Sequence, residues 1–168
     1  MRERFEEFVA DRLDRLLRYA TALTCDPHLA QDVVQDVLLR AGRRWSHIES
    51  MQAPDAYIRR MITNEYLSWR RRRAARTVAS THSALDALGT PVADPATRYA
   101  ERDAMRGRIA KLPRKQRAAI LLRYYEDCTD AEIAEVLGCT AGTVRSHISR
   151  ALATLRTGET SSLKEAAA

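Results

Sequence analysis

The stretch TDAEIAEVLGCTAGTVRSHISRALATLR, residues 129–156, constrains the fold of this chain more than any other feature. Thr129 and Glu132 have the spacing of a capping box. In that motif the Thr hydroxyl accepts the third helical N–H, and the Glu carboxylate reaches back to the cap N–H. Ile133, Ala134 and Leu137 give the helix that follows a buried side. Gly138 supplies the left-handed backbone of a tight helix exit, and Thr140 can cap the next helix. On that second helix Val144, Ile148, Ala151, Leu152 and Leu155 fall on one face, while Arg145, Ser146, Ser149 and Arg150 fall opposite, with Thr143 and His147 flanking. Two short helices joined by a glycine turn predict a helix-turn-helix, whose second helix is laid into a DNA major groove. The outward arginines suit guanine edges or phosphates, and the two serines let a helix approach closely. A solvated helical hairpin is the competing reading of this segment alone.

Upstream, the 3.6-residue period recurs. Phe5, Phe8, Val9, Leu13, Leu16, Leu17, Ala20 and Leu23 predict an amphipathic helix over about residues 2–24. Asp26 is a good N-cap, and Pro27 suits the first helical position, so a second helix is expected to run to about Trp45. Its residues Leu29, Ala30, Val33, Val34, Val37, Leu38 and Ala41 cover one half of the wheel. Gln31, Asp32, Gln35 and Asp36, with Leu39 among them, occupy the other. An acid and amide face with one outward leucine is a docking surface for a basic partner helix, or else a surface helix with a stray apolar residue. Residues 46–53 read as a loop. From Pro54 a third helix carries Tyr57, Ile58, Met61, Ile62, Tyr66 and Trp69 into Arg70, Arg71, Arg72 and Arg73. Those four arginines suit a phosphate clamp, helix-dipole complementation, or both. Tyr57, Tyr66 and Trp69 are read as core in preference to base-stacking groups.

Periodicity fails over residues 77–100, which hold two prolines, a glycine and small polar residues, and these are expected to form a flexible linker. Fully extended, such a segment reaches about 80 Å. A second helical block starts near Glu101, pauses at Leu112-Pro113 and breaks at Glu126-Asp127-Cys128, and a polar, alanine-rich tail over 158–168 is expected to be disordered. The chain is therefore expected to be all-α: an N-terminal domain over 1–76, a linker over 77–100 and a C-terminal domain over 101–157.

Charge follows the same division. The net charge is +6, with 25 arginines to 3 lysines, yet residues 1–40 and 77–103 are each net −2 while 41–76 carry +6 and 104–168 carry +4. Basic blocks beside acidic ones favour a polyanionic partner without establishing it. No apolar run approaches the roughly 20 residues of a membrane span, and the N-terminus lacks the apolar block of a signal peptide. Cys25, Cys128 and Cys139 form no CxxC pair. A cytoplasmic protein with reduced thiols and no membrane association is expected. His28, His47, His82 and His147 are scattered along the chain, and no phosphate-binding glycine loop is present. No catalytic residue, metal or cofactor is expected, and the chain reads as a binding protein rather than an enzyme.

Taken together, DPHLAQDVVQDVLLRA (26–41), AYIRRMITNEYLSWRRRR (56–73) and KLPRKQRAAILLRYYEDCTDAEIAEVLGCTAGTVRSHISRAL (111–152) resemble the extracytoplasmic-function class of sigma-70 family factors, with most similarity to a short actinobacterial SigE-type subfamily. The resemblance covers about residues 5–75 and 101–156, in family order. It implies a transcription initiation factor with two partners. One is core RNA polymerase, through the clamp helices of its largest subunit and the flap of its second-largest. The other is promoter DNA. An anti-sigma protein is a further partner class. By resemblance Asp32, Gln35, Asp36 and Leu39 match the clamp-docking face. Arg60, Asn64 and Arg70–Arg73 match the region near the minus-ten element, and Arg145, Ser146, Ser149 and Arg150 match the minus-thirty-five reader. Three departures stand out: Cys25 where the family commonly has Gly, Asp36 for the usual Glu, and His147 where Arg is frequent. A stand-alone helix-turn-helix regulator is the alternative, and an adaptor for a signalling partner is a third.

Overall fold

The structure is a computed structural model that describes the backbone at residues 2–77 and 97–165 and side chains at 4–68 and 104–157. Every regular element among the described residues is a helix, and none of them is a strand. The chain divides into two units, Met1–Thr90 and Pro91–Ala168. The first holds α1 (Arg2–Thr24), α2 (Pro27–Gly42), α3 (Trp45–Glu49) and α4 (Pro54–Thr77). The second holds α5 (Thr97–Ala110), α6 (Arg114–Tyr124), α7 (Asp130–Leu137) and α8 (Ala141–Glu165).

In the first unit α1 packs on both α2 and α4, and α2 packs on α4. Their apolar stripes meet in a core of Leu16, Tyr19, Leu23, Val33, Val37, Ile58, Ile62 and Tyr66. Several of the polar groups inside it are paired, as low-dielectric burial favours. Tyr19 and Thr63 share a hydrogen bond of 2.7 Å, and Thr63 also donates to the Arg59 carbonyl at 3.1 Å. Buried Arg59 pairs with Asp55, which lies 3.7 Å from Arg15 on α1. Asp26 caps α2 as its sequence predicts, accepting from the N–H groups of His28 at 2.9 Å and Leu29 at 3.2 Å.

Two boundaries differ from expectation here. The second helix ends at Gly42 instead of continuing to Trp45, and residues 46–49, read as loop, belong to α3. The cause is tertiary. The Trp45 ring packs on Phe8 at 4.7 Å and Phe5 at 5.2 Å, and Ile48 is buried beside it. Burial of these two residues holds a helical turn that has no side-chain cap. Gly42 allows the approach, since a Cβ there would stand 3.1 Å from the Phe5 ring.

In the second unit α8 packs against α5, α6 and α7. Leu112, Ile120 and Ala151 form a buried cluster, with Ile148, Leu152 and Leu155 against it. Arg117, almost fully buried, donates to the carbonyls of Ile109, Ala110 and Leu112 at 3.1, 2.9 and 3.0 Å. It thereby satisfies the open C-terminal end of α5. The Thr129–Glu132 capping box forms on both sides. Gly138 has φ +61, the Cys139 N–H reaches the Ala134 carbonyl at 3.0 Å, and the Gly138 N–H reaches the Glu135 carbonyl at 3.4 Å. That pair of bonds is a Schellman exit. Thr140 caps α8 by accepting the Thr143 N–H at 3.2 Å.

The outer boundaries are wider than composition suggested. Helix α5 begins at Thr97, inside the stretch read as linker, and α8 continues to Glu165, through most of the stretch read as a disordered tail. Gly158 and the Ser and Thr residues after it are weak helix formers, but no proline interrupts residues 158–165 and Glu159, Leu163, Lys164 and Glu165 are good ones, so a helix already nucleated by packing can run on. Residues 78–96, the body of the expected linker, lie outside the described residues.

Candidate nucleic-acid and docking interfaces

Helix α2 turns Val33, Val34 and Val37 into the core, which leaves Asp32, Gln35 and Asp36 exposed on its far side. Leu39 shares that side and is 61% exposed. The basic neighbour is drawn away: Arg40 pairs with buried Glu65 of α4 at 2.5 Å, and its Nε donates to the Asp36 carbonyl at 3.3 Å. The face therefore keeps the negative charge of its two aspartates. Beside it runs a feature the sequence reading missed, an open apolar groove of about 750 Å³ between α1 and α2. Phe5, Val9, Leu13 and Leu38 line it together with Gln35 and Leu39. The signal was present in the apolar stripe of α1, which is broader than α2 and α4 cover.

On α4 the core stripe of Ile58, Ile62 and Tyr66 fixes the phase of the helix. Asn64 is exposed and Arg60, four residues earlier on the same face, is half-buried. Tyr57 joins this face at 37% exposure, which corrects its assignment to the core, while Tyr66 is buried as expected. Burial of Tyr57 failed because the spacing 57, 60, 64 follows the outer side of the helix. The side chains of Trp69 and Arg70–Arg73 lie outside the described residues. Their backbone is helical and ends four residues later, at Thr77, so the arginines occupy the last turns and not the terminus itself.

On α8 the two faces separate as the wheel implies. Val144 and Ala151 are buried, while Arg145, Ser146, Ser149 and Arg150 are all exposed. Ser146 donates to the Gly142 carbonyl at 3.2 Å, which leaves its oxygen free to accept. His147 is half-buried, and its Nδ1 is enclosed without a partner. Desolvation, then the charges of Lys115 and Arg150, lower its pKa below the usual 6.5. A neutral imidazole therefore stands on this face at neutral pH.

Missed entirely by sequence reading was an acidic group among these cations. Asp130 pairs with Arg123 of α6 through Oδ1, and through Oδ2 it accepts from Arg145 Nη1 at 3.3 Å. Residues 123, 130 and 145 stand on three helices, and no periodic signal links them. Among the described residues no group of three His, Cys, Asp or Glu side chains could hold a metal ion. No described helix is long and apolar enough to cross a membrane.

Comparison with known proteins gives a consistent result. Residues 8–76 match the family described as Sigma-70 region 2, and residues 102–155 match Sigma-70, region 4. The chain is 39% identical over 152 residues to the RNA polymerase sigma-E factor of Streptomyces coelicolor, covering 90% of this chain and 84% of that one. It is 34% identical over 148 residues to the ECF RNA polymerase sigma factor SigL of Mycobacterium tuberculosis, covering 84% and 80%. Among solved structures the fold is similar to the sigma factor RpoE, crystallised with the anti-sigma factor NepR from Bartonella quintana. The TM-score is 0.73 at 24% identity, over 94% of this chain and 98% of that one.

Proposed function

The chain belongs to the sigma-70 family of RNA polymerase sigma factors, and from that premise we propose a division of labour between its two helical units. It is a transcription initiation factor that directs RNA polymerase to promoters. The first unit docks on core polymerase through Asp32, Gln35, Asp36 and Leu39, and handles the downstream promoter element through Arg60, Asn64 and the arginine run 70–73. The second unit reads the upstream element with Arg145, Ser146, Ser149 and Arg150. The protein acts by binding, without a catalytic residue or cofactor of its own, in the cytoplasm where the polymerase works. An anti-sigma protein would act by covering these same faces.

One observation carries the reading: the acidic and amide face of α2 with a 61% exposed leucine. A stand-alone helix-turn-helix regulator needs no such surface, whereas a factor that works only on polymerase does. Covalent geometry agrees with two-site binding. Nineteen residues separate Thr77 from Thr97 and can extend to about 65 Å, enough for promoter elements about 50–60 Å apart, or one and a half turns of B-DNA. Two weak sites on one scaffold gain effective concentration without any new contact.

The test is a salt series of promoter binding by the free protein and by the complex with core polymerase. The free protein is expected to bind weakly, because acidic segments adjoin each basic block and repel phosphates within about 8–10 Å. The complex is expected to bind specifically. Tight, sequence-specific binding by the free protein near physiological salt would favour the stand-alone regulator instead.

A further inference from the structure

We propose that Asp130 is a specificity-determining positioning residue: it holds the Arg145 guanidinium in a fixed orientation on the DNA-reading helix and is itself held by Arg123. The proposal rests on the assignment of Arg145 to base reading. A long, exposed arginine samples many rotamers, whereas bidentate recognition of a guanine edge needs one plane and one direction. Arg145 has 67% of its side chain exposed, so packing alone does not select that plane.

The carboxylate supplies the selection. Asp130 is the first residue of α7, and its backbone is fixed by the Thr129–Glu132 capping box immediately before it. A carboxylate at that position also suits the helix N-terminus. Its two oxygens are divided, one to Arg123 from α6 and the other to Arg145 from α8 at 3.3 Å. One donated hydrogen bond leaves Arg145 four of its five N–H groups for a base or a phosphate. Asp130 is about 28% exposed and Arg123 about 31%, so both are less exposed than the arginine they hold. The three residues form a relay from the body of the unit to the reading side chain.

A second effect acts in the same direction. The negative charge of Asp130 offsets part of the attraction of Arg145 for phosphates, and phosphate attraction carries no sequence information. Asp130 therefore lowers binding to any duplex while sharpening preference for the right one. A group that merely stabilised the fold would raise or lower both together.

The experiment uses the complex of the full chain with core polymerase. Its probes are promoter fragments randomised across the upstream element and an unrelated duplex as competitor. Arg145→Ala first identifies the base position whose preference depends on Arg145. At that position Asp130→Ala is expected to reduce the preference by roughly three- to tenfold, part of the discrimination a bidentate arginine provides. Binding to the unrelated duplex is expected to hold or rise. Asp130→Asn and Arg123→Gln should give smaller losses at the same position, and they carry the test should Asp130→Ala fail to fold. In an Arg145→Ala background, Asp130→Ala should change the preference no further. An unchanged preference in Asp130→Asn and Arg123→Gln, alongside a clear loss in Arg145→Ala, would overturn the proposal. A parallel fall in specific and unrelated binding would also overturn it, by assigning Asp130 to folding. If Arg145→Ala itself erases no preference, the base-reading assignment of Arg145 fails first.

Discussion

Truncation of Leu39 tests the docking face with a magnitude that the structure supplies. Full burial of a leucine side chain stabilises by about 1.5–3 kcal/mol. Leu39 is 61% exposed in the free protein, so the area still open to a partner corresponds to about 0.9–1.8 kcal/mol. At about 1.4 kcal/mol per tenfold, Leu39→Ala should weaken binding to core polymerase by about five- to twentyfold. The fold should hardly respond, since exposed substitutions away from special features stay within about 0.5 kcal/mol and alanine is a good helix former. The assay is a titration of labelled protein with core polymerase, with thermal unfolding of the same samples as a control. Asp36→Lys should weaken the same complex by charge reversal, and its effect should shrink as salt is raised. A dissociation constant for Leu39→Ala within twofold of the parent, with unfolding unchanged, would refute the assignment of this face.

Asn64→Ala should leave polymerase binding intact and reduce strand opening, read as lost permanganate reactivity at the downstream element; full opening would remove Asn64 from that role. Gly138→Ala should destabilise the second unit by about 1–2 kcal/mol, the penalty of a left-handed alanine, because a Cβ there meets nothing within 4 Å. Faster amide exchange across α7 would register it, and unchanged exchange would contradict the turn assignment. The lowered pKa of His147 means that the unfolded chain binds the proton more readily. The stability from this group is fully present above the ordinary imidazole value of about 6.5, and it is lost as pH falls below that and through the lowered folded value. Unfolding midpoints of the second unit should accordingly drop between pH 7.5 and 5.5, and His147→Gln should flatten that slope; an equal slope in the variant would count against the assignment.

Local chemistry was legible in the sequence wherever a few neighbouring residues decide it. Asp26 before Pro27, Thr129 with Glu132, and Gly138 each predicted a helix end that the structure contains. The split faces of α2 and α8 follow from period alone. What escaped depends on partners distant in sequence. Helix α3 exists because the Trp45 ring meets Phe5 and Phe8, some forty residues upstream, and no local propensity announces that contact. Tyr57 looked like core by residue type, yet the phase fixed by Ile58 and Ile62 turns it outward. The Arg123–Asp130–Arg145 relay needs three helices in place before it can be seen.

Two turns have a consequence for how this protein can change. Cys25 and Asp127 hold φ values of +57 and +51, a conformation that side chains other than glycine rarely adopt. Such a residue carries roughly 1–2 kcal/mol of backbone strain, less at Asp127 because a short polar side chain tolerates this region, against the 0.5–1 kcal/mol of extra flexibility that glycine brings to the unfolded chain. Glycine at either turn would then gain a few tenths to about 1 kcal/mol. Neither turn contains a residue proposed to touch polymerase or DNA. Each unit thus retains a latent margin that a single substitution can release, one for each of Met1–Thr90 and Pro91–Ala168. Variants that erode the contact faces could be tolerated after such a change, which makes these turns natural sites for compensating mutations when promoter preference is altered.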